Sequence, residues 1–416
     1  MAFSAVNRTG RLILTVLACL VLPIGHAAPP QFVLPQSHLG PADLAVIVND
    51  DDPLSREIGQ YYQSRRGVPD KNMIHVRFVP GGSVMSREEF ARIKSQVDRD
   101  TPDSVQAFAL TWAAPYRVDC MSITSAFAFG FATSYCAAGC AATRASPYFD
   151  SPSLAPYRDL KIRPTMALAG TSFEAVKALI DRGIASDDSH PAGTGYLVST
   201  DDKARNVRAV FYPAIVRGTR TWVRLQVVRQ DYIRDKQDVL FYFTGLAQVP
   251  KLNSLRFVPG AIADHLTSAG GELTDSWQMS SLRWLEAGAT GSYGSVDEPC
   301  NFLQKFPNPG LVIGWYLRGE SLLEAYWKSV AWPGQGIFIG EPLAAPFAGY
   351  RVETDGRGEI LLRTQALPPG TYALLGSNSP VGPYNTEPRT MVVTQDMQSI
   401  NLGKLDKAFY RIIAVR

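Results

Sequence analysis

The stretch Gly260-Ala-Ile-Ala-Asp-His-Leu-Thr-Ser-Ala-Gly-Gly271 gathers Asp264, His265, Thr267 and Ser268 between glycines. A histidine beside an acid and a hydroxyl suits acyl transfer, with the imidazole as general base and the hydroxyl as nucleophile. Glycines let the backbone approach a ligand closely. Adjacent residues rarely face one another, so a working triad must draw partners from elsewhere in the fold. The Gly-x-Ser-x-Gly elbow is absent, since Ser268 sits in Thr-Ser-Ala-Gly. Among the five histidines, His265 is the best general-base candidate, ahead of His75 and His190; the competing reading is an ordinary hydrogen-bonded histidine. Glu298-Pro-Cys-Asn301 offers Glu298 as a general acid and Cys300 as a nucleophile or a disulfide partner. Asn49-Asp-Asp-Asp52 clusters carboxylates that can hold a hard cation. One of them is needed as a helix cap, however, and the segment lacks the spaced ligands and central glycine of a calcium loop. No metal and no cofactor is expected.

These residues need a scaffold, and the apolar pattern supplies one. Leu44 to Val48 reads as a buried strand, and Pro53 to Arg66 as a helix capped by Asp52. The alternation continues with strands at 74–78, 107–112, 165–169, 195–199, 222–228, 239–243, 289–296 and 336–339. Helices are expected at 86–97, 173–182, from about 202, and at 321–330. Continuous apolar strands separated by helices imply a three-layer α/β/α sandwich with a mostly parallel sheet over residues 40–346. Residues 115–160 interrupt it with an excursion holding three cysteines. Residues 351–416 read as a small all-β domain.

In an open α/β sheet, ligands bind beyond the carboxyl ends of the strands. That rule selects Asn49, Asp50 and Asp51, the run from Trp112 to Arg117, Thr200 to Asp202, Thr244-Gly245, and Ser295 to Glu298. Together they make one expected crevice, with Asn49, Asp50, Asp51, Trp112, Arg117 and Thr244 as its binding residues. Each is equally the type of residue that caps helices and builds turns.

The chain has 416 residues, 46% apolar, 19% charged and 10% aromatic, which fits a globular protein large enough for two domains. Arg8 and Arg11, the apolar run Leu12 to Ile24 and Gly25-His26-Ala27 form an expected signal peptide over residues 1–27. That run is shorter than the roughly 20 residues a spanning helix needs, so no integral membrane segment is expected after cleavage. Val16-Leu-Ala-Cys19 is a loose lipid-attachment box, but the residues after Cys19 stay apolar. Loss of two arginines leaves 39 basic against 38 acidic residues, a balance that argues against a nucleic-acid partner. Cys120, Cys136, Cys140 and Cys300 remain, and an even number in an exported chain reads as two disulfides with three possible pairings. Zinc is the rival at Cys136 and Cys140, and a free or catalytic thiol the third reading.

Ala113-Ala-Pro-Tyr-Arg-Val-Asp-Cys120, Gly260 to Gly271, Glu298-Pro-Cys-Asn301, Lys305-Phe-Pro307, Glu324-Ala-Tyr-Trp-Lys-Ser329 and Gly340-Glu-Pro-Leu-Ala344 resemble an uncharacterised family of secreted bacterial proteins. That family occurs in genomes carrying exosortase, a protein-sorting transpeptidase. The resemblance spans about residues 40–350 and implies export to the periplasm or beyond. A more distant similarity is to the gingipain and caspase group of cysteine peptidases. Val239 to Gly245 looks like the strand leading to their catalytic His-Gly, and Leu266 to Gly271 like the strand end bearing their cysteine. Here Thr244-Gly-Leu246 has no histidine, and Thr267 or Ser268 stands in place of the cysteine. The sequence thus leads to an exported gingipain-like scaffold without the dyad, binding a peptide or glycan. Its rivals are a hydrolase using His265 with Asp264, Ser268 or Glu298, and a structural envelope protein.

Overall fold

The computed structural model describes residues 1, 29–137, 140–219, 221–394 and 399–415. Apart from Met1, the expected signal segment with Cys19 lies outside the described residues. Ten strands form the central sheet: β1 (Leu44–Asn49), β2 (Met73–Val76), β3 (Ala107–Leu110), β4 (Thr165–Ala167), β5 (Thr194–Ser199), β6 (Arg224–Arg229), β7 (Val239–Gly245), β8 (Phe257–Leu266), β9 (Gly291–Ser295) and β10 (Gly336–Gly340). Eight α-helices of six or more residues accompany them among the described residues: α1 (Pro53–Arg66), α2 (Arg87–Asp100), α3 (Ile123–Phe129), α4 (Phe173–Ser186), α5 (Tyr212–Thr219), α6 (Leu282–Ala287), α7 (Pro309–Leu317) and α8 (Leu322–Ser329).

Local chemistry sets the element ends. Asp52 accepts from the Leu54 amide at 3.0 Å, Pro53 occupies the first helical position, and Gly67 closes α1 at φ 67°. Ser86 caps α2 by accepting from the Glu89 amide. β1 is buried along its whole length, as a strand covered on both faces must be. Val46 and Val48 pack into the layer of α1, α4, α7 and α8, and Ala45 and Ile47 into the layer of α2 and α3. Helices thus cover both faces of a large, mostly parallel sheet.

The strand order is β6-β5-β7-β8-β9-β10-β4-β3-β1-β2. Every pairing is parallel except β9 with β10, which run antiparallel with Gly291 opposite Gly340 and Ser295 opposite Gly336. The sheet is therefore two parallel halves of opposite direction. β5 to β9 end at one edge, whereas β1 to β4 and β10 end at the other. This corrects the single crevice expected from the sequence: Asn49, Asp50, Asp51 and Trp112 follow strands of one half, and Thr244 and Ser295 end strands of the other.

Two further elements differ from the sequence reading. Phe257–Leu266 is one ten-residue strand, so the apparent motif around His265 is largely sheet. Pro309–Leu317 is a helix, apolar on every side and hence without the period that marks a surface helix. The excursion is not a detached appendage, because α3 lies within it and packs Ile123, Ala126 and Phe127 onto the sheet. Disulfides join Cys120 to Cys136 and Cys140 to Cys300, the second tying the excursion to the turn after β9.

The C-terminal part holds a three-stranded antiparallel sheet (Arg351–Thr354, Ile360–Arg363, Ser399–Gly403). Beside it Gly370–Ser377, Asn385–Val393 and Phe409–Ala414 form a second sheet, to which Gln31–Val33 adds a parallel strand. Phe32, Leu362, Leu374, Tyr410 and Ile412 make its core.

The β9–β10 seam is tight. A Cβ added at Gly294 would strike the backbone of Gly270 and Gly271, and one at Gly336 the Tyr293 ring. Gly294→Ala is accordingly expected to cost about 1–3 kcal/mol by overpacking. Gly218→Ala in α5, where a Cβ meets open space, should gain about 0.4–1 kcal/mol. Urea midpoints at unchanged slope measure both.

Candidate functional site

β7, β8 and β9 deliver the chemistry-bearing residues to one edge of the sheet. Side chains alternate along a strand, so Asp264 and His265 must point to opposite faces of β8. The structure shows the consequence. His265 is buried against α6, where its Nδ1 accepts from the Trp284 indole N–H at 2.9 Å. An indole can only donate, so the proton sits on Nε2, which donates to the Met279 carbonyl at 3.0 Å. Burial, aided by the charges of Arg208 and Arg205, lowers its pKa to about 3, against the opposing pull of the Met279 bond. A neutral ring with both nitrogens committed cannot take a proton from a hydroxyl. The structure thereby corrects the general-base assignment of His265.

Asp264 is equally committed on the other face. Its Oδ1 lies 2.6 Å from Arg208, and both side chains are buried. Burial pushes the Asp264 carboxyl up, and Arg208 pulls it down. Arg208 also donates to the Thr244 carbonyl at 2.8 Å, so the pair ties the segment 206–211 to β7 and β8. Thr244 itself is fully buried.

Beyond β8 the chain forms a laced loop. The Thr267 hydroxyl donates to Gln278 Oε1 at 2.6 Å and accepts from Arg205 Nε at 3.1 Å. The Ala269 amide donates to the same Gln278 oxygen at 2.8 Å. Ser268 is half-buried, and the neighbouring imidazole is turned inward away from it. The Gly270-Gly271 pair serves close packing: a Cβ on Gly271 would lie 2.6 Å from the Gly294 carbonyl oxygen. Those glycines bring backbone to backbone, which corrects the expectation that they admit a ligand.

Glu298 is exposed, and its Oε1 accepts from the Cys300 amide at 2.8 Å, shaping the turn that holds the disulfide. Arg117 folds back from its own strand end to lie 3.9 Å from Asp297, whose carboxyl burial pushes up. At the opposite edge Asn49 spends its amide on the Phe78 backbone, and Trp112 is buried with its indole on the Pro115 carbonyl. Asp50 pairs with His75 at 2.7 Å and Asp51 with Arg77 at 2.7 Å. Among the described residues no group of three or more His, Cys, Asp or Glu is placed to hold a metal ion.

What the sequence did not single out is a groove of about 700 Å³ just outside the ends of β7 and β8. The loops after these strands line it with Gln248, Asn253, Thr274, Gln278, Met279 and Arg283. Gln278 spends its oxygen on Thr267 and Ala269, and its buried Nε2 is left without a partner. Trp277 beside it is 73% exposed. The readable signal is a tryptophan within the polar loop Thr274-Asp-Ser-Trp-Gln278.

Two outcomes test these assignments. The imidazole resonances of His265 should not titrate between pH 8 and 5. Because its folded pKa of about 3 lies below the unfolded value of 6.5, the unfolded chain binds more protons between them, so its contribution to stability falls as pH drops through that window. Separately, Asp264→Ala should cost about 3–5 kcal/mol in urea unfolding by stranding Arg208, while the double change Asp264→Leu with Arg208→Met recovers most of that loss.

No family model matches the chain, and no curated protein matches it. Solved structures similar to it include one described as the structure of a protease. It aligns over 91% of this chain and 96% of its own, with a TM-score of 0.42 and 9% sequence identity. Another is a complex of the Porphyromonas gingivalis RgpB pro- and mature domains, aligned over 88% and 94% with a TM-score of 0.39 and 9% identity.

Proposed function

We propose that this chain is an exported binding protein of the bacterial envelope or surface, working in exosortase-linked biology without peptidase chemistry. It takes a segment of peptide or glycan in the groove beyond β7 and β8. The observation that carries this reading is the unpartnered Nε2 of Gln278, a residue that lines an open groove of amide and hydroxyl groups and directly follows the exposed Trp277 in the chain. A ligand carbonyl or hydroxyl satisfies the donor, and an exposed indole gives a flat apolar contact of the kind that anchors interfaces.

Three features support the non-catalytic part. His265 has no free nitrogen, Cys120, Cys136, Cys140 and Cys300 are all in disulfides, and Ser268 has no base beside it. A hydroxyl needs such a base to become a nucleophile. The disulfides fit an oxidising compartment. No described helix is long and apolar enough to cross a membrane.

The test is direct. Purified protein is treated with a fluorophosphonate and with iodoacetamide, and screened on casein and on peptide and glycan arrays. The expected result is no labelling, no turnover and array binding that weakens about tenfold in Trp277→Ala. Stoichiometric labelling of Ser268, or proteolysis, overturns the reading in favour of a hydrolase. Absence of binding on both arrays overturns it in favour of a structural protein.

A further inference from the structure

A second recess lies at the seam between the α/β core and the C-terminal β-domain. It encloses about 250 Å³, close to the lower bound of small-ligand pockets. α7 and the turn after it contribute Trp315, Arg318 and Glu320, the residues before β6 contribute Trp222, and the β-domain contributes Gln365 and Leu367. The walls are mostly apolar.

Two residues that line this recess each carry a buried side-chain oxygen without a protein partner. Glu320 is 4% exposed; its Oε1 accepts from the Lys328 ammonium at 2.6 Å, and its Oε2 is buried and unsatisfied. Gln365 Oε1 is likewise buried without a partner. Folded proteins leave few such atoms, and each asks for an explanation. The surroundings do not relieve Glu320. Its neighbour Glu324 is committed through Oε2 to the Leu39 and Ser321 amides and the Ser321 hydroxyl. The one ammonium is shared with aromatic rings, Lys328 Nζ lying 4.4 Å from the Trp315 centroid and 5.1 Å from that of Tyr148. Burial, with the Glu324 charge next, pushes the Glu320 carboxyl well above the usual range. Oε1 faces the ammonium, which leaves Oε2 as the oxygen able to meet a hydroxyl. Trp315 is held in place by its indole N–H on Asp150 at 3.1 Å.

We propose that this recess binds a single pyranose unit of a carbohydrate, with its C–H face against the Trp222 side of the recess and its hydroxyls on Glu320 Oε2 and Gln365 Oε1. The chemistry of the walls selects this class. An acyl chain would suit the apolar lining but leave both polar atoms unsatisfied. An organic cation would meet Arg318 and Lys328. An extended peptide needs a donor and an acceptor for every residue it buries, more than this recess offers. A pyranose ring carries C–H bonds on its face, suited to an indole, and hydroxyls on its rim that donate and accept. The inference is independent of the groove beyond β7 and β8, and stands if that groove binds nothing.

The test uses the full mature chain, titrated with hexoses, N-acetylhexosamines, uronic acids and their short oligomers, read by calorimetry and tryptophan emission. The expected result is saturable binding of at least one saccharide class. Measured in the Trp277→Ala background, which removes the contribution of the groove beyond β7 and β8, Trp222→Ala and Gln365→Leu should each weaken it at least tenfold with an unchanged melting temperature. Gln365→Leu lies on the β-domain side and keeps the test open if Trp222→Ala fails to fold. No saturable binding by any saccharide overturns the proposal. So does binding that survives both substitutions.

Discussion

Where β9 meets β10, two five-stranded parallel sheets of opposite direction become one. The contact is made by strands that are short and glycine-rich, Gly291-Ser-Tyr-Gly-Ser295 against Gly336-Ile-Phe-Ile-Gly340. Glycine is required because the loop after β8 lies directly on β9, the Gly271 amide donating to the Ser295 carbonyl at 2.7 Å. The direction change at this seam decides which loops can meet. It sends the ends of β7, β8 and β9 to one edge together, and it keeps Asn49, Asp50 and Asp51 away from them. A site assembled from strand ends must therefore belong to one half of the sheet.

The same sheet explains how charged residues far apart in the chain come to be paired in its core and along its edges. Asp264 and Arg208 are 56 positions apart and meet in the core. At the opposite edge Arg66 joins α1 to Glu341 after β10 and to Asp187 after α4, while the Tyr62 hydroxyl donates to Glu341 at 2.7 Å. Removing charges from water is costly, and such pairs are tolerable when several hydrogen bonds satisfy them at once. Each cluster here links elements distant in sequence, so the charges fix how helices dock on the sheet. His265 belongs with them. By holding the Met279 carbonyl, it positions the loop that forms the groove floor.

Much of the fold was legible because buried strands and capped helices carry local signals. Leu44–Asn49 announces itself as an apolar run, and Pro53–Arg66 by its aspartate cap, its proline and the glycine that ends it. What was not legible depends on partners far along the chain. Strand direction leaves no mark on composition, so the antiparallel seam was invisible and the two strand-end clusters merged into one expected crevice. β8 was obscured because Asp264 and His265 read as exposed polar residues until Arg208 and Trp284 are known to face them. α7 was missed because a helix buried on all sides shows no period. The cysteines read as disulfides, but their pairing required the return of Cys300 to the excursion.

Unpartnered polar atoms occur both in the sealed core and on residues that line cavities. Asp264 Oδ2 and Thr244 Oγ1 lack partners as well, yet both residues are sealed in the core, beside an ion pair that accounts for their position. Gln278 Nε2 and Gln365 Oε1 are different, because each residue lines a cavity and its remaining side-chain or backbone bonds do not reach the orphaned atom. Glu320 joins them at the seam, where one oxygen is bound to Lys328, the other has no partner, and the residue lines the recess. An unpartnered polar atom inside packed protein is a cost of packing, whereas one on a residue that lines a cavity keeps hydrogen-bonding capacity the fold does not use. Asp264 and Arg208, by contrast, spend their charges on each other and on the Thr244 backbone, holding neighbouring strands together.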